Sequence, residues 1–218
     1  MQTLPLRITK FGHACVRIET DGTTLVIDPG AFTDPAALAG ADAVLITHEH
    51  MDHFEQSRLR AALDADPALR VWTNADVAAQ LEGVGQRVTA VGEGDAFEIG
   101  GVGISVHGEW HAEIHRDIPL VKNIGFLLDG RLFHPGDAFT VPPHAVDTLL
   151  LPLAAPWSKA GEVVDYVREA GPRVAVPVHE ATLSPIGHMI ATRLLGPDGP
   201  GTGSELTVLG EGESLELG

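Results

Sequence analysis

Short apolar runs, some alternating with polar residues and some unbroken, recur along the chain between Gly, Pro, Asp and Asn. Their period is that of strands more often than of helices. Residues 8–11, 15–20 and 24–27 read as strands. Asp21-Gly22 between the last two is a strong signal for a two-residue hairpin turn. Residues 35–38 suit one short helix. The wholly apolar run 43–46 suits a strand buried on both faces, stopping at Thr47. Helical spacing appears at 55–63, where Leu59 and Leu63 stand four apart on one face. Strands at 70–73, 87–91, 96–99 and 102–108, with a helix at 76–81, follow.

The second half repeats this layout. Residues 124–128, the turn Asp129-Gly130 and residues 131–133 form another hairpin. It runs into His134-Pro135-Gly136-Asp137, as the first ran into Ile27-Asp28-Pro29-Gly30. A buried strand follows each hairpin, at 43–46 and at 148–151. A helix marked by Val163, Val164 and Val167, a strand at 173–178 and a helix at 185–195 come next. A Gly/Pro-rich loop spans 196–203, and residues 206–209 with 215–217 suit a closing hairpin. Two hairpin-strand-helix halves predict a duplicated α/β sandwich rather than a singly wound parallel sheet. No linker divides it, so residues 1–218 are expected to form one domain.

Composition narrows the function classes. At 218 residues and 44% apolar content the chain can bury a full core. Lys and Arg total 14 against 30 Asp and Glu, a net charge of −16. With no basic stripe, nucleic acid is a poor partner. No apolar run approaches the ~20 residues of a membrane span, and Met1-Gln2-Thr3-Leu4-Pro5 lacks the layout of a secretory signal. The single cysteine, Cys15, excludes an internal disulfide and fits a reducing compartment, so a cytoplasmic protein is expected. Homo-oligomerisation is left open.

The chemistry concentrates in Thr47-His48-Glu49-His50-Met51-Asp52-His53, directly after a buried strand. Imidazole and carboxylate are the usual ligands of Zn²⁺ and similar cations, and three histidines with one aspartate in six residues rarely arise from composition alone. Four ligands do not complete a two-metal site. The further candidates stand where strands give way to loops: His111, Asp137 and His179.

Together these residues resemble the metallo-β-lactamase superfamily over nearly the whole chain: Asp28, the His48-x-His50-x-Asp52-His53 segment, His111, Gly136-Asp137 and His179 occur in its order. The resemblance implies a four-layer αββα sandwich with internal pseudo-duplication. It also implies one metal on His48, His50 and His111, a second on Asp52, His53 and His179, and Asp137 bridging the two. Gly12-His13-Ala14-Cys15, Trp110-His111-Ala112 and His134-Pro135-Gly136-Asp137-Ala138 are most similar to the short bacterial hydrolases related to L-ascorbate-6-phosphate lactonase.

The expectation is therefore a metal-dependent hydrolase with two divalent ions, Zn²⁺ first and Mn²⁺, Fe²⁺ or Ni²⁺ as alternatives. A hydroxide activated by both metals would attack a small ester, lactone, thioester, amide or phosphodiester. Two 2+ ions against Asp52 and Asp137 leave positive charge that favours an anionic or oxygen-rich substrate. Asp52 is the candidate catalytic acid/base. Asp28 is expected to orient a ligand loop without touching metal, and His13, His115 and His134 are candidates for contact with ligands or substrate. His107, His144 and His188 have no such context, and Trp157 suits either a pocket wall or the core. A mononuclear iron oxygenase of the same fold and a non-catalytic metal-binding module are the other readings. A redox di-iron protein would carry Glu where His50 stands. The loops at 31–34, 113–122 and 152–159 carry no motif that names a substrate.

Overall fold

In the computed structural model, which describes residues 5–217, the apolar runs assemble into two seven-stranded sheets. The first contains β1 (Leu6–Lys10), β2 (Val16–Thr20), β3 (Thr23–Ile27), β4 (Ala43–Ile46), β5 (Arg70–Thr73) and β6 (Val88–Ala90), side by side in that order. The second contains β7 (Ala96–Ile99), β8 (Val102–His107), β9 (Gly125–Leu128), β10 (Leu132–His134), β11 (Thr148–Pro152), β12 (Val174–Val178) and β13 (Glu205–Leu206). β14 (Ser214–Leu217) returns to the first sheet beside β1.

Both sheets follow one plan. Antiparallel neighbours β1, β2 and β3 lead into parallel pairings β3–β4, β4–β5 and β5–β6. Antiparallel β7 to β10 lead likewise into parallel β10–β11, β11–β12 and β12–β13. Helices α1 (Gln56–Ala65) and α2 (Ala75–Gln80) belong to the first half, and α3 (Ala160–Ala170) and α4 (Pro185–Leu195) to the second.

Strand periodicity explains the layers. Successive side chains point to opposite faces, so Leu25, Ile27, Ala43 and Leu45 meet Ile104, Phe126, Leu128, Leu150 and Val176 of the other sheet in a central core. The alternate residues Val26, Val44, Ile46 and Val71 pack outward on Leu59, Leu63 and Val77 of α1 and α2. On the far side Phe133, Leu149, Leu151 and Ala175 pack on Val163, Tyr166 and Val167 of α3. The result is the four-layer αββα sandwich with a repeated half. Among the described residues no helix is long and apolar enough to cross a membrane.

The chain's end departs from the sequence expectation. Residues 206–209 and 215–217 do not close on each other as a hairpin. β13 pairs with β12 through Val174↔Glu205 and Ala175↔Leu206, whereas β14 pairs with β1 from Leu6↔Leu217 to Thr9↔Ser214. Between them Leu209 enters the central core and a turn at 210–213 docks on Lys10, whose N–H donates to the Glu213 carbonyl (3.1 Å). Each sheet would otherwise end in an edge with unpaired backbone groups. Crossing from one sheet to the other covers the free edges of both β1 and β12, where a hairpin added to one sheet would cover only one of them.

Candidate metal centre

The parallel strands deliver their ends to one rim. His48 to His53 leave the end of β4, Asp137 follows β10, His179 follows β12, and His111 lies beyond β8. Thr47 and Asp28 fix the first segment. The buried Asp28 carboxylate accepts the Thr47 N–H (2.8 Å), the Thr47 hydroxyl (2.7 Å) and the His53 Nδ1–H (2.7 Å). To do so Asp28 adopts a left-handed backbone at φ +51°, a cost that its hydrogen bonds offset. The turn closes through His53 N–H and Phe54 N–H, both donating to the His50 carbonyl (2.9 and 2.8 Å). Gly30 backs it at close range: a Cβ there would lie 2.0 Å from the Asp52 carbonyl, so only glycine fits.

Asn123 does the equivalent work in the second half. Its Oδ1 accepts the Asp137 N–H and its Nδ2 donates to the Pro135 carbonyl, both at 2.9 Å. Gly136, at φ +65°, leaves room for that side chain; a Cβ would sit 2.2 Å from Asn123 Oδ1. His179, also left-handed at φ +58°, is tied by its N–H to the His13 carbonyl (2.9 Å).

The functional atoms converge. Candidate donor atoms of His48, His50 and His111 lie within 4.8 Å of one another, as do those of His13, Asp52, His53 and His179, and those of His48, His53 and Asp137. Asp137 spans the groups: Oδ1 is 3.1 Å from His53 Nε2, and Oδ2 is 3.4 Å from His111 Nε2 and 3.0 Å from His179 Nε2. His48 Nε2 and His50 Nδ1 stand 3.1 Å apart.

Hydrogen-bond partners fix most of the tautomers. Nδ1 of His111 faces the Ala112 carbonyl (2.5 Å), Nδ1 of His179 the Ala154 carbonyl (2.9 Å) and Nδ1 of His53 the Asp28 carboxylate. Nδ1 of His48 faces the Thr47 hydroxyl oxygen (3.0 Å), whose own hydrogen goes to Asp28. Those oxygens can only accept there, so each Nδ1 carries hydrogen and each Nε2 lone pair turns inward. The buried Nε2 atoms of His53, His111 and His179 and Oδ1 of Asp137 have no hydrogen-bond partner. Buried polar atoms left so are costly, and converging lone pairs with carboxylate oxygens are what a cation relieves. The residues present fit bound metal.

Electrostatics agree. Burial works against charge at Asp52, yet the His13 imidazole and the His179 imidazole beside it hold its carboxyl well below the usual range. Asp137 is held low against burial by His53, His111 and His179. Without a cation, these carboxylates draw protons onto their neighbours. Burial opposes charge on His179 and His53, but Asp137 outweighs it, with Asp52 helping at His179 and Asp28 at His53. His179 is pushed up to about 9, and His53 is raised well above its ordinary value. Burial pushes His13, His48, His50 and His134 down.

Of the remaining candidates, His13 and Asp28 lie against the cluster. His134 is buried with both nitrogens engaged: Nδ1 accepts the Gly136 N–H (3.0 Å) and Nε2 donates to the Ala14 carbonyl (3.2 Å). It pins the 135–137 turn to the 12–15 turn and presents nothing to the centre. His115 is exposed on the 113–122 loop, where its Nδ1 accepts the Asp117 N–H (3.2 Å), outside the cluster. Trp157 sits half-buried between His111 and Phe139, with ring centroids 6.0 and 4.9 Å away, and its Nε1–H donates to Asp137 Oδ2 (2.9 Å). Sequence reasoning missed that bond and the supports Thr47 and Asn123. A lone Asn before a strand carries no signal of its own.

An αββα sandwich with a His/Asp centre at its strand ends defines a class of metal-dependent enzyme, and comparison with known proteins specifies it. The family profile of the β-lactamase superfamily domain matches residues 7–179. The chain belongs to the metallo-β-lactamase superfamily. It is 40% identical over 186 residues to Protein Rv0786c of Mycobacterium tuberculosis, covering 83% of this chain and 86% of that one. It is 27% identical to the UPF0173 metal-dependent hydrolase MK1542 of Methanopyrus kandleri, over 97% of this chain and all of that one. Among solved structures it resembles Igni18, a metallo hydrolase of Ignicoccus hospitalis, with a TM-score of 0.73 and 21% identity over 98% and 99% of the two chains. Relatives and structural neighbours of this chain thus bear the names metal-dependent hydrolase and metallo hydrolase.

Proposed function

We propose that the centre holds two divalent cations, Zn²⁺ first among them, and hydrolyses a small carboxylic ester, lactone, thioester or amide. The observation that carries this reading is the set of buried Nε2 and Oδ1 atoms, on His53, His111, His179 and Asp137, that have no hydrogen-bond partner. His48, His50 and His111 would hold one ion, Asp52, His53 and His179 the other, and Asp137 would reach both groups, with Oδ1 beside His53 and Oδ2 beside His111 and His179. Bound there, a metal pair supplies Lewis acidity and lowers the pKa of water toward neutrality.

The chain's own residues do the rest. Asp52, partly open to solvent, is placed to accept a proton at Oδ from an attacking water and return it to the leaving group. Thr47, Asp28, Ala112 and Ala154 keep the imidazole lone pairs aimed inward. Trp157 holds Asp137 through its Nε1–H.

The rim supports carbonyl substrates over phosphodiesters. Its cations are engaged: Lys122 pairs with Glu109 (2.6 Å), Lys159 with Glu162 (2.8 Å) and Arg116 with Asp117 (3.8 Å). Apolar Phe32, Met51 and Trp110 stand exposed on the loops that carry the site. A phosphoryl group is ordinarily met by free Arg or Lys, whereas such a rim suits an uncharged or apolar body. The pairing of β14 with β1 supports reading the chain as one domain, and one free, buried cysteine, Cys15, supports a cytoplasmic setting.

Metal analysis together with a substrate panel tests the proposal. Close to two divalent ions per chain, with turnover of esters or lactones that chelation removes, is expected. A single iron with oxygen-dependent chemistry would support the oxygenase reading, and absence of turnover across esters, lactones, thioesters and phosphodiesters the non-catalytic one.

A further inference from the structure

Six imidazoles crowd the centre, and one of them is oriented the wrong way round for a ligand. His48, His53, His111 and His179 each spend Nδ1–H on an outward acceptor and turn a bare Nε2 inward. At His13 the outer partner is instead a donor: the Ala181 N–H points at Nδ1 (3.2 Å). A backbone N–H can only donate, so Nδ1 carries the lone pair and the hydrogen of the neutral ring sits on Nε2. That N–H faces inward, 3.3 Å from Asp52 Oδ2. Although His13 Nε2 lies within 4.8 Å of donor atoms on Asp52, His53 and His179, it presents a hydrogen to that group and no lone pair.

We infer that His13 is a positioning residue: a hydrogen-bond donor, not a metal ligand, that locks the Asp52 carboxylate in register with His179. The main chain makes the same connection. The His13 carbonyl accepts the His179 N–H (2.9 Å), and the two rings lie 4.0 Å apart between centroids. His13 therefore touches the chain on both sides of Glu180 with its own backbone and ring, while Nε2 reaches Asp52 thirty-nine residues away. Among the described residues, Asp52 has no hydrogen bond in the structure other than this one. Its neighbours His179 Nε2 (3.4 Å) and His53 Nε2 (4.0 Å) are the candidate ligands it must join. Asp52 is also the least enclosed of that set, with 22% of its side chain open to solvent. Without His13 the carboxylate would keep only the longer contacts with His179 and His53 against rotation toward water.

Gly12 fits this role. At φ +109° it delivers His13 into the centre, and a Cβ at Gly12 would lie 2.5 Å from the Phe32 carbonyl. The Gly12-His13 pair thus places a donor at a fixed point on the floor of the site. By contrast, no such donor serves the His48, His50 and His111 group, whose supports are all acceptors.

The inference rests on the two-metal reading and predicts an asymmetric effect. Metal-free wild type, His13→Ala and His13→Gln are titrated with Zn²⁺ against a competing chelator, and the thermal midpoint of each metal-free form is recorded. Wild type should show two classes of site. His13→Ala should weaken one class by about tenfold to a hundredfold, the range for loss of a group that orients a ligand, and leave the other unchanged. His13→Gln should recover most of that loss, because its amide Nε2–H can stand where the imidazole N–H stood. Equal weakening in both variants would mean that the imidazole nitrogen itself binds metal, and would overturn the inference. Wild-type affinity in His13→Ala, or equal loss in both classes with a fallen thermal midpoint, would overturn it too. A wild type with one class of site would refute the two-metal reading instead; the Ala-to-Gln contrast on that class would still decide what His13 does.

Discussion

The two halves share one strand plan but contribute to the centre in different ways. In the first half the hairpin ends in Asp28, which supports and does not face the centre, and the inward groups come from one turn after β4, His48 to His53. In the second half the hairpin ends in Asp137, which does face the centre. Its companions His111 and His179 stand alone, sixty-eight residues apart, after β8 and β12. The first half packs its donors into a turn braced by a single carboxylate. The second spreads them over three strand ends and braces each separately, with Asn123 behind Asp137, Ala112 behind His111 and Ala154 behind His179. One duplicated frame thus supports a local site and a distributed one, and the two meet because parallel strands all end on the same rim.

If both halves contribute equally, removing a donor from either should be equally severe. His48→Ala and His111→Ala should each lower turnover by more than the ~100-fold that loss of an outer partner costs, and each should reduce bound metal. Steady-state kinetics with metal analysis checks this, and normal turnover in either variant would dismiss its ligand assignment. Asp137→Asn probes the point where the halves join. A neutral amide neutralises less charge between two cations, so metal content should fall from two toward one per chain, and residual turnover should move to higher pH. Two retained metals with an unshifted profile would mean that Asp137 does not bridge.

The supports should be less costly, and unequally so. Asp28→Asn removes a carboxylate that takes three hydrogen bonds in the local site. It should keep most of the metal and lose roughly tenfold to a hundredfold in rate. Asn123→Ala leaves the Asp137 N–H and the Pro135 carbonyl unpaired, which should cost about 1–3 kcal/mol of stability, readable in chemical denaturation, with a smaller loss of rate. A larger rate loss in Asn123→Ala than in Asp28→Asn would reverse the comparison.

The same contrast explains how much could be read from the sequence. Strand and helix segments were legible because apolar period and turn residues mark them locally, as at Asp21-Gly22 and in the buried run Ala43–Ile46. The His48 to His53 turn was legible because its donors are neighbours. His111, Asp137 and His179 were found by combining strand ends with family likeness, and the structure brings all of them to one place. The pairing of the last two strands was not legible: residues 205–206 and 214–217 look alike as short apolar runs, and only the free edges of two sheets decide where each goes. Nor was the work of Thr47, Asn123 or Trp157, whose partners lie far away or on the backbone. The orientation of His13 depends on a backbone N–H at Ala181, which no motif encodes.

The smallest expected effect concerns the centre without metal, where the two halves must share protons in place of cations. His179 in the second half is pushed up to about 9 from 6.5, and His53 in the first is raised as well, each by carboxylates it would otherwise share with a cation. A histidine whose folded pKa lies above its unfolded one contributes stability that is complete below the unfolded value and is lost as pH rises through the folded one. The metal-free protein should therefore lose stability between pH 6.5 and about 9. His13, His48, His50 and His134 are shifted downward, are already neutral across that window, and do not add to this limb. The core between the sheets does not depend on the centre, so the chain should stay folded while its thermal midpoint falls across that window. With metal bound the ligand nitrogens are unprotonated throughout, and the limb should flatten. Thermal melts of metal-free and metal-loaded protein at several pH values measure both. A metal-free form whose midpoint is level or climbs from pH 6.5 to 9 would mean that protons do not substitute for cations between Asp137 and its two neighbours.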